Sequence, residues 1–113
     1  VEVDLFGQVN AEYAGGRQIS GTGGSVDFMR AAKTSKRGRS IVAMTATARG
    51  GSISRIVPRV EMVTALRTDV DIVVTEYGVA QIKNLPLRAR AEALVGVAAP
   101  EFRDALSASI DQM

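Results

Sequence analysis

Residues 69–84 read DVDIVVTEYGVAQIKN and carry the clearest strand signal in the chain. Their first part, residues 70–75 (VDIVVT), is a short run that is rich in β-branched residues. A run of this length and composition is typical of a strand buried in an α/β sheet. We therefore expect a strand over residues 70–75, followed by one helical turn over residues 79–83.

Further strand patterns precede this stretch. Val1, Val3 and Leu5 alternate with Glu2 and Asp4, which is the period of a half-buried strand. A turn at Gly7-Gln8 predicts that the chain returns as a second strand over residues 9–13, and two apolar runs predict strands at residues 40–44 and 53–57. Pro58 is expected to end the last of these, because proline cannot donate a ladder hydrogen bond.

Three segments have the patterns of helices. Residues 26–34 follow Ser25, a good N-cap residue, and the final helix is expected to begin at Pro100. Residues 87–97 are predicted to form an amphipathic helix with an apolar face of Leu87, Ala91, Leu94 and Val95, and a polar face of Arg88, Arg90 and Glu92. Because strands and helices alternate, the predicted class is α/β.

The composition excludes several kinds of site from this segment. Its 113 residues include neither cysteine nor histidine, so it has no disulfide, no Ser-His-Asp triad and no metal site built on those ligands. We expect no metal. The net charge is +2, eleven of the 14 basic residues are arginines, and aromatic residues make up 4 %. Arginine suits phosphate and carboxylate, whereas few aromatics argue against nucleic acid, so a small anionic ligand is expected.

No apolar run reaches the ~20 residues that span a bilayer, and no signal peptide opens the chain. We therefore expect a cytoplasmic protein without a membrane partner.

The most suggestive local motif is the loop Ser20-Gly21-Thr22-Gly23-Gly24, which runs into the helix predicted at residues 26–34. Glycines let a ligand approach the backbone closely, and amides at a helix N-terminus favour an anion or a developing oxyanion. The alternative is a plain turn between a strand and a helix. The loop alone leaves both interpretations open.

Three other polar residues are candidates for a site. Arg49 lies in a second glycine loop, where it could hold a phosphate or could simply be a solvated side chain. Glu12 and Glu76 are formal candidates for a carboxylate nucleophile. For both glutamates the more common role is to cap a strand end or to pair with an arginine.

Several stretches, taken in order, resemble the acetyl-CoA hydrolase and CoA-transferase family, particularly its acetate and hydroxybutyrate CoA-transferases. They are EVDLFGQVNAE at residues 2–12, SGTGGSVDFMRAA at 20–32, TATARGG at 45–51, SRIVPR at 54–59, DVDIVVTEYGVAQIKN at 69–84 and RARAEALVGVAAPEFRDAL at 88–106. The resemblance covers nearly the whole chain, which makes it far more specific than the glycine loop alone.

The resemblance implies an enzyme that moves coenzyme A between an acyl-CoA and a carboxylic acid through a glutamyl-CoA thioester. The family's nucleophilic glutamate falls before Val1, and neither Glu12 nor Glu76 matches it. Arg49 stands where many relatives carry a lysine near the coenzyme. The implied coenzyme A site comprises Ser20, Gly21, Thr22, Gly23, Gly24 and Arg49, with the backbone donors of Gly23 and Gly24 beside the thioester.

The resemblance also implies that residues 1–113 are the C-terminal domain of a longer, homodimeric protein. The expected fold is a partial open sheet with flanking helices, similar to the C-terminal half of a NagB/RpiA/CoA-transferase-like protein. The isolated segment would be inactive without its N-terminal domain. Ala99 stands where relatives often have a histidine, so the choice between hydrolase and transferase stays open. The alternative function is a non-catalytic anion-binding or dimerisation domain.

Overall fold

The computed structural model describes residues 1–11, 13–14, 17–18 and 39–113. Glu12, the glycine loop at residues 20–24 and the helix predicted at 26–34 lie outside the described residues. The strands are β1 (Glu2–Asp4), β2 (Val9–Asn10), β3 (Tyr13–Ala14), β4 (Arg17–Gln18), β5 (Ile41–Ala43), β6 (Thr47–Ala48), β7 (Ile53–Ser54), β8 (Ile56–Val57), β9 (Ile72–Thr75) and β10 (Gly78–Gln81). The α-helices are α1 (Leu87–Gly96) and α2 (Pro100–Ile110).

The strands form small sheets of mixed direction. In the first sheet, of order β2-β1-β8, β1 runs antiparallel to β2 and parallel to β8. In the second, of order β10-β9-β5, β9 runs parallel to β5 and antiparallel to β10. Two further pairs, β3–β4 and β6–β7, are antiparallel hairpins. This mixed architecture with its two C-terminal helices confirms the predicted α/β class.

One apolar core joins the two three-stranded sheets to the helices. Helix α1 packs against both β10 and α2. Full burial of an aliphatic side chain contributes about 1.5–3 kcal/mol relative to exposure, so the core holds the sheets together. Its largest fully buried apolar side chains are Leu5, Ile56, Ile82, Leu94, Val3, Val70 and Val73.

The strand predicted at residues 70–75 is confirmed as β9, but the helical turn predicted at 79–83 is wrong. Residues there form β10, which pairs antiparallel with β9 and places Gly78 opposite Thr75. Gly78 has φ +147°, a backbone conformation that glycine adopts far more readily than other residues. The alternation of exposed and buried residues marks a strand, with a period of two across Val79, Ala80, Gln81 and Ile82.

The strand predicted at residues 53–57 is divided at Arg55. Its N–H donates to the carbonyl of Ala46 at 2.8 Å, and its carbonyl accepts from the N–H of Val3, also at 2.8 Å. The chain therefore leaves the β6–β7 hairpin at this residue and joins the first sheet as β8. Strand β8 ends before Pro58, as predicted.

The strand predicted at residues 40–44 is present as β5. Among the residues that the structure describes, β5 lies at one edge of the second sheet. The prediction that it is buried is only partly correct. Val42 is buried, whereas Ile41 is 54 % exposed.

Helix α1 is confirmed, but its predicted faces need correction. Arg90, assigned to the polar face, is buried, and Leu87, assigned to the apolar face, is 38 % exposed. The guanidinium of Arg90 donates to the carbonyls of Arg67 at 3.1 Å and Leu85 at 3.5 Å. Burial, with a smaller contribution from the charge of Arg67, lowers the pKa of Arg90 from its usual value.

Asp4 also departs from the predicted alternation, because its side chain is fully buried. One carboxylate oxygen accepts from the N–H groups of Phe6 at 3.0 Å and Gln8 at 2.9 Å. The other accepts from the Gln8 amide nitrogen at 2.8 Å and the Val60 N–H at 3.1 Å. Asp4 thus joins the turn after β1 to the loop after β8.

We predict that Asp4→Asn lowers the free energy of unfolding of the full-length protein by about 1–3 kcal/mol. Each carboxylate oxygen of Asp4 accepts two hydrogen bonds, so the NH₂ group of asparagine faces two N–H donors in either orientation of the amide and cannot accept from them. Asp104→Asn is the control, because Asp104 is exposed on α2. Denaturant titrations of both variants measure the difference, and equal stabilities would contradict the role of Asp4.

Candidate functional site

Arg49 is the one predicted coenzyme A contact that falls within the described residues. Ser20, Gly21, Thr22, Gly23 and Gly24 lie outside them, so their predicted roles are untested. Arg49 occupies the tip of the β6–β7 hairpin, where its side chain is exposed. Within the described part of the chain it forms no ion pair. In this chain the Arg49 side chain is therefore open to solvent.

The hairpin tip has an unusual backbone. Arg49, Gly50 and Gly51 have successive φ values of +51°, +67° and +93°. A residue other than glycine in this left-handed region costs roughly 1–2 kcal/mol, so Arg49 is held there by the turn. The Ser52 hydroxyl and N–H both donate to the Arg49 carbonyl, at 2.9 and 3.4 Å. The tip is thus a compact, closed turn.

The base of the hairpin is anchored by Glu76. A carboxylate oxygen of Glu76 accepts from the N–H of fully buried Ala46 at 2.6 Å. Charge-assisted hydrogen bonds of this kind are shorter and stronger than neutral ones. Glu76 lies in the β9–β10 turn, and this contact therefore ties that turn to the hairpin that carries Arg49.

The β9–β10 turn is itself held in place by the helices. The Thr75 hydroxyl donates to the Val97 carbonyl at 2.6 Å and accepts from the Tyr77 N–H at 3.1 Å. The Arg103 guanidinium lies 5.7 Å from the centre of the Tyr77 ring, within cation–π distance. Glu76 therefore has the strand-end role that the sequence left as its alternative, and it positions the Arg49 hairpin.

A second polar feature was missed at the level of sequence. A groove of about 390 Å³ lies between the turn after β1 and the loop after β8. No local sequence motif predicts this groove, because residues some fifty positions apart meet only through the parallel pairing of β1 and β8. The residues that line it are Phe6, Gln8, Arg59, Val60, Val63 and Arg67.

Two negative findings apply to the described ranges alone. Residues 1–11, 13–14, 17–18 and 39–113 contain no cluster of three or more acidic residues placed to hold a metal ion. No helix in those same ranges has both the length and the apolar character needed to cross a bilayer.

The chain is similar to several known proteins. Residues 1–110 match the acetyl-CoA hydrolase/transferase C-terminal domain. The chain is 52 % identical to 4-hydroxybutyrate coenzyme A transferase of Clostridium kluyveri over 109 residues, or 94 % of this chain and 25 % of that protein. It is 43 % identical to succinyl-CoA:cyclohexane-1-carboxylate CoA transferase of Geobacter metallireducens over 116 residues, covering 100 % of this chain and 26 % of that protein.

The fold has a close counterpart among solved structures. The crystal structure of RipA from Yersinia pestis superposes with a TM-score of 0.92 at 42 % identity, covering 99 % of this chain and 26 % of RipA. The chain thus spans about a quarter of the length of the relatives that it matches.

We predict that Glu76→Ala increases amide hydrogen exchange at residues 45–48, because the buried Ala46 N–H loses its acceptor. Glu76→Gln should largely preserve protection, since its amide oxygen can still accept that hydrogen bond. Hydrogen-exchange mass spectrometry on the full-length protein distinguishes the two variants. Unchanged exchange in Glu76→Ala would show that the hairpin does not depend on this anchor.

Proposed function

The chain belongs to the acetyl-CoA hydrolase/transferase C-terminal domain family, and from this membership we propose that the full-length protein transfers coenzyme A from an acyl-CoA to a carboxylic acid. In this proposal a glutamate upstream of Val1 attacks the thioester carbonyl and expels CoA thiolate, which leaves a mixed anhydride between the glutamate and the acyl group. The thiolate then attacks the glutamyl carbonyl of this anhydride and releases the donor carboxylate. The resulting glutamyl-CoA thioester then passes CoA to the acceptor acid, in a covalent two-step reaction.

The described chain contributes coenzyme binding to this proposal. The observation that carries it is Arg49, an exposed guanidinium without an ion pair among the described residues, on a closed turn anchored by Glu76. Arginine binds phosphate through charge-assisted hydrogen bonds, which suits the phosphates of coenzyme A. An anchored turn also reduces the ordering that binding would otherwise require.

The glycine loop supplies the other part of the proposed site. We assign Ser20, Gly21, Thr22, Gly23 and Gly24 to the coenzyme, with the N–H groups of Gly23 and Gly24 stabilising the oxyanion of the thioester. This assignment rests on the family resemblance. The whole enzyme is proposed to work as a cytoplasmic homodimer, with its N-terminal domain as the intramolecular partner of this chain.

We predict that the full-length protein converts acyl-CoA and an isotope-labelled carboxylate into a labelled acyl-CoA. The isolated residues 1–113 should show no turnover, because they lack the proposed nucleophile. Mass spectrometry of the products and of trapped protein tests both points, with a CoA adduct expected on a glutamate upstream of Val1. Release of CoA without label transfer would instead make the protein a hydrolase, and turnover by the isolated segment would refute the placement of the nucleophile.

We predict that Arg49→Asn weakens coenzyme A binding by the full-length protein about ten- to a hundredfold, the usual effect of losing a hydrogen bond to a charged group. Asparagine tolerates the left-handed backbone, so the melting temperature should change little. Arg49→Lys should retain much of the affinity, and Arg88→Gln, on an exposed face of α1, controls for net charge. Calorimetric titration at fixed salt measures these affinities. If Arg49→Asn binds CoA as tightly as the native protein, Arg49 is a solvated loop residue.

A further inference from the structure

The groove between the turn after β1 and the loop after β8 is not used by the proposed coenzyme site. Its six lining residues combine two arginines with an aromatic ring, two valines and a glutamine. Three of the six, Phe6, Gln8 and Val60, donate backbone or side-chain hydrogen bonds to the buried Asp4 carboxylate. Hydrogen bonds to the buried Asp4 carboxylate therefore fix the positions of these three lining residues.

The groove carries the positive charge of two exposed arginine side chains, Arg59 and Arg67. Arg59 and Arg67 form no ion pair with the described carboxylates. The nearby carboxylate of Asp4 already accepts four hydrogen bonds and is fully buried beneath the lining residues. A third guanidinium, that of Arg90, lies behind this region and donates to the Arg67 carbonyl at 3.1 Å.

Arg90 is held close to Arg67 despite their like charges. The proximity of Arg67 contributes to the lowered pKa of Arg90, although burial contributes more. An anion bound at the exposed side chain of Arg67 would offset this repulsion between Arg67 and Arg90, because opposite charges attract. The charge arrangement thus favours a bound anion.

Phe6, Val60 and Val63 add apolar surface to the groove, which matches a ligand that has a hydrocarbon part. The Arg59 guanidinium lies 5.1 Å from the centre of the Phe6 ring, which holds it over one wall of the groove. Val63 is 38 % exposed, so its side chain is available for contact. A free phosphate has no apolar part for these walls, whereas a short-chain carboxylic acid has both an anionic head and an aliphatic tail.

We propose that this groove binds a short-chain carboxylic acid, with its carboxylate between Arg59 and Arg67 and its tail against Phe6 and Val63. The inference rests on the proposed transferase function, in which such an acid accepts coenzyme A. The groove then acts as a specificity subsite that holds the free acid before or after transfer.

Ligand-observed NMR titration of the full-length protein with butyrate tests the subsite without requiring turnover. Arg59→Gln and Arg67→Gln should each weaken butyrate binding about tenfold or more, because each removes a charged hydrogen-bond donor. Arg88→Gln, which removes the same charge from an exposed helix position, should bind like the native protein. Absence of butyrate binding to the native protein overturns the inference, whatever its CoA-transferase activity.

Val63→Glu provides a second variant that places a competing carboxylate in the groove while retaining both arginines. It should abolish butyrate binding with an unchanged melting temperature, since Val63 lies outside the buried core. Parallel titrations with coenzyme A identify the source of the bound anion. Loss of CoA affinity with intact butyrate affinity in the arginine variants would make the groove a phosphate site and overturn the proposal. Butyrate binding in a protein that fails to transfer CoA would support the subsite and refute only the proposed reaction.

Discussion

The buried carboxylate of Asp4 is the interaction on which the described structure most depends. It accepts four hydrogen bonds, from donors in the turn after β1 and in the loop after β8. A buried carboxylate is costly unless it is fully hydrogen-bonded, so its position and the position of its donors are fixed together. Asp4 therefore fixes strand β1, the turn after β1 and the loop after β8 in one arrangement, and the groove lies between that turn and that loop.

Glu76 serves a similar purpose on the second sheet. Its carboxylate takes the buried N–H of Ala46 and thereby joins the β9–β10 turn to the hairpin that presents Arg49. The same turn is tied to the segment between the helices through Thr75 and the Val97 carbonyl. In both cases an acidic side chain satisfies backbone donors that no strand partner can reach, which holds two loops in a defined position.

These two anchors separate the chain's proposed ligand contacts into two regions. Arg49 stands on a strained turn with three successive positive φ values, a conformation that persists only because its surroundings enforce it. Arg59 and Arg67 stand beside Phe6 and Val63, where charge and apolar surface meet. A reaction that joins a phosphate-bearing coenzyme to a carboxylic acid requires two anion-binding regions of different character, and the two proposed regions differ in this way.

The sequence by itself determined the elements whose signals are local. The β-branched run of β9, the proline at the start of α2 and the ordered family motifs were sufficient to predict the α/β class and the family. The strand at residues 78–81 was not predicted, because the β9–β10 hairpin depends on a two-residue turn closed at Gly78. The division at Arg55 also escaped prediction, since its N–H and carbonyl bond to different partners, Ala46 and Val3.

Only the tertiary structure decided which polar residues are buried and which are available to a ligand. Asp4 and Arg90 follow patterns of exposed residues, yet both are buried, and each forms a hydrogen bond with a distant backbone group, the Val60 N–H and the Arg67 carbonyl respectively. Likewise, the groove of Phe6, Gln8, Arg59 and Arg67 exists only because parallel pairing of β1 and β8 brings separate segments together. Local sequence encodes propensity and periodicity, whereas a hydrogen-bond partner more than fifty residues away is specified only once the chain has folded.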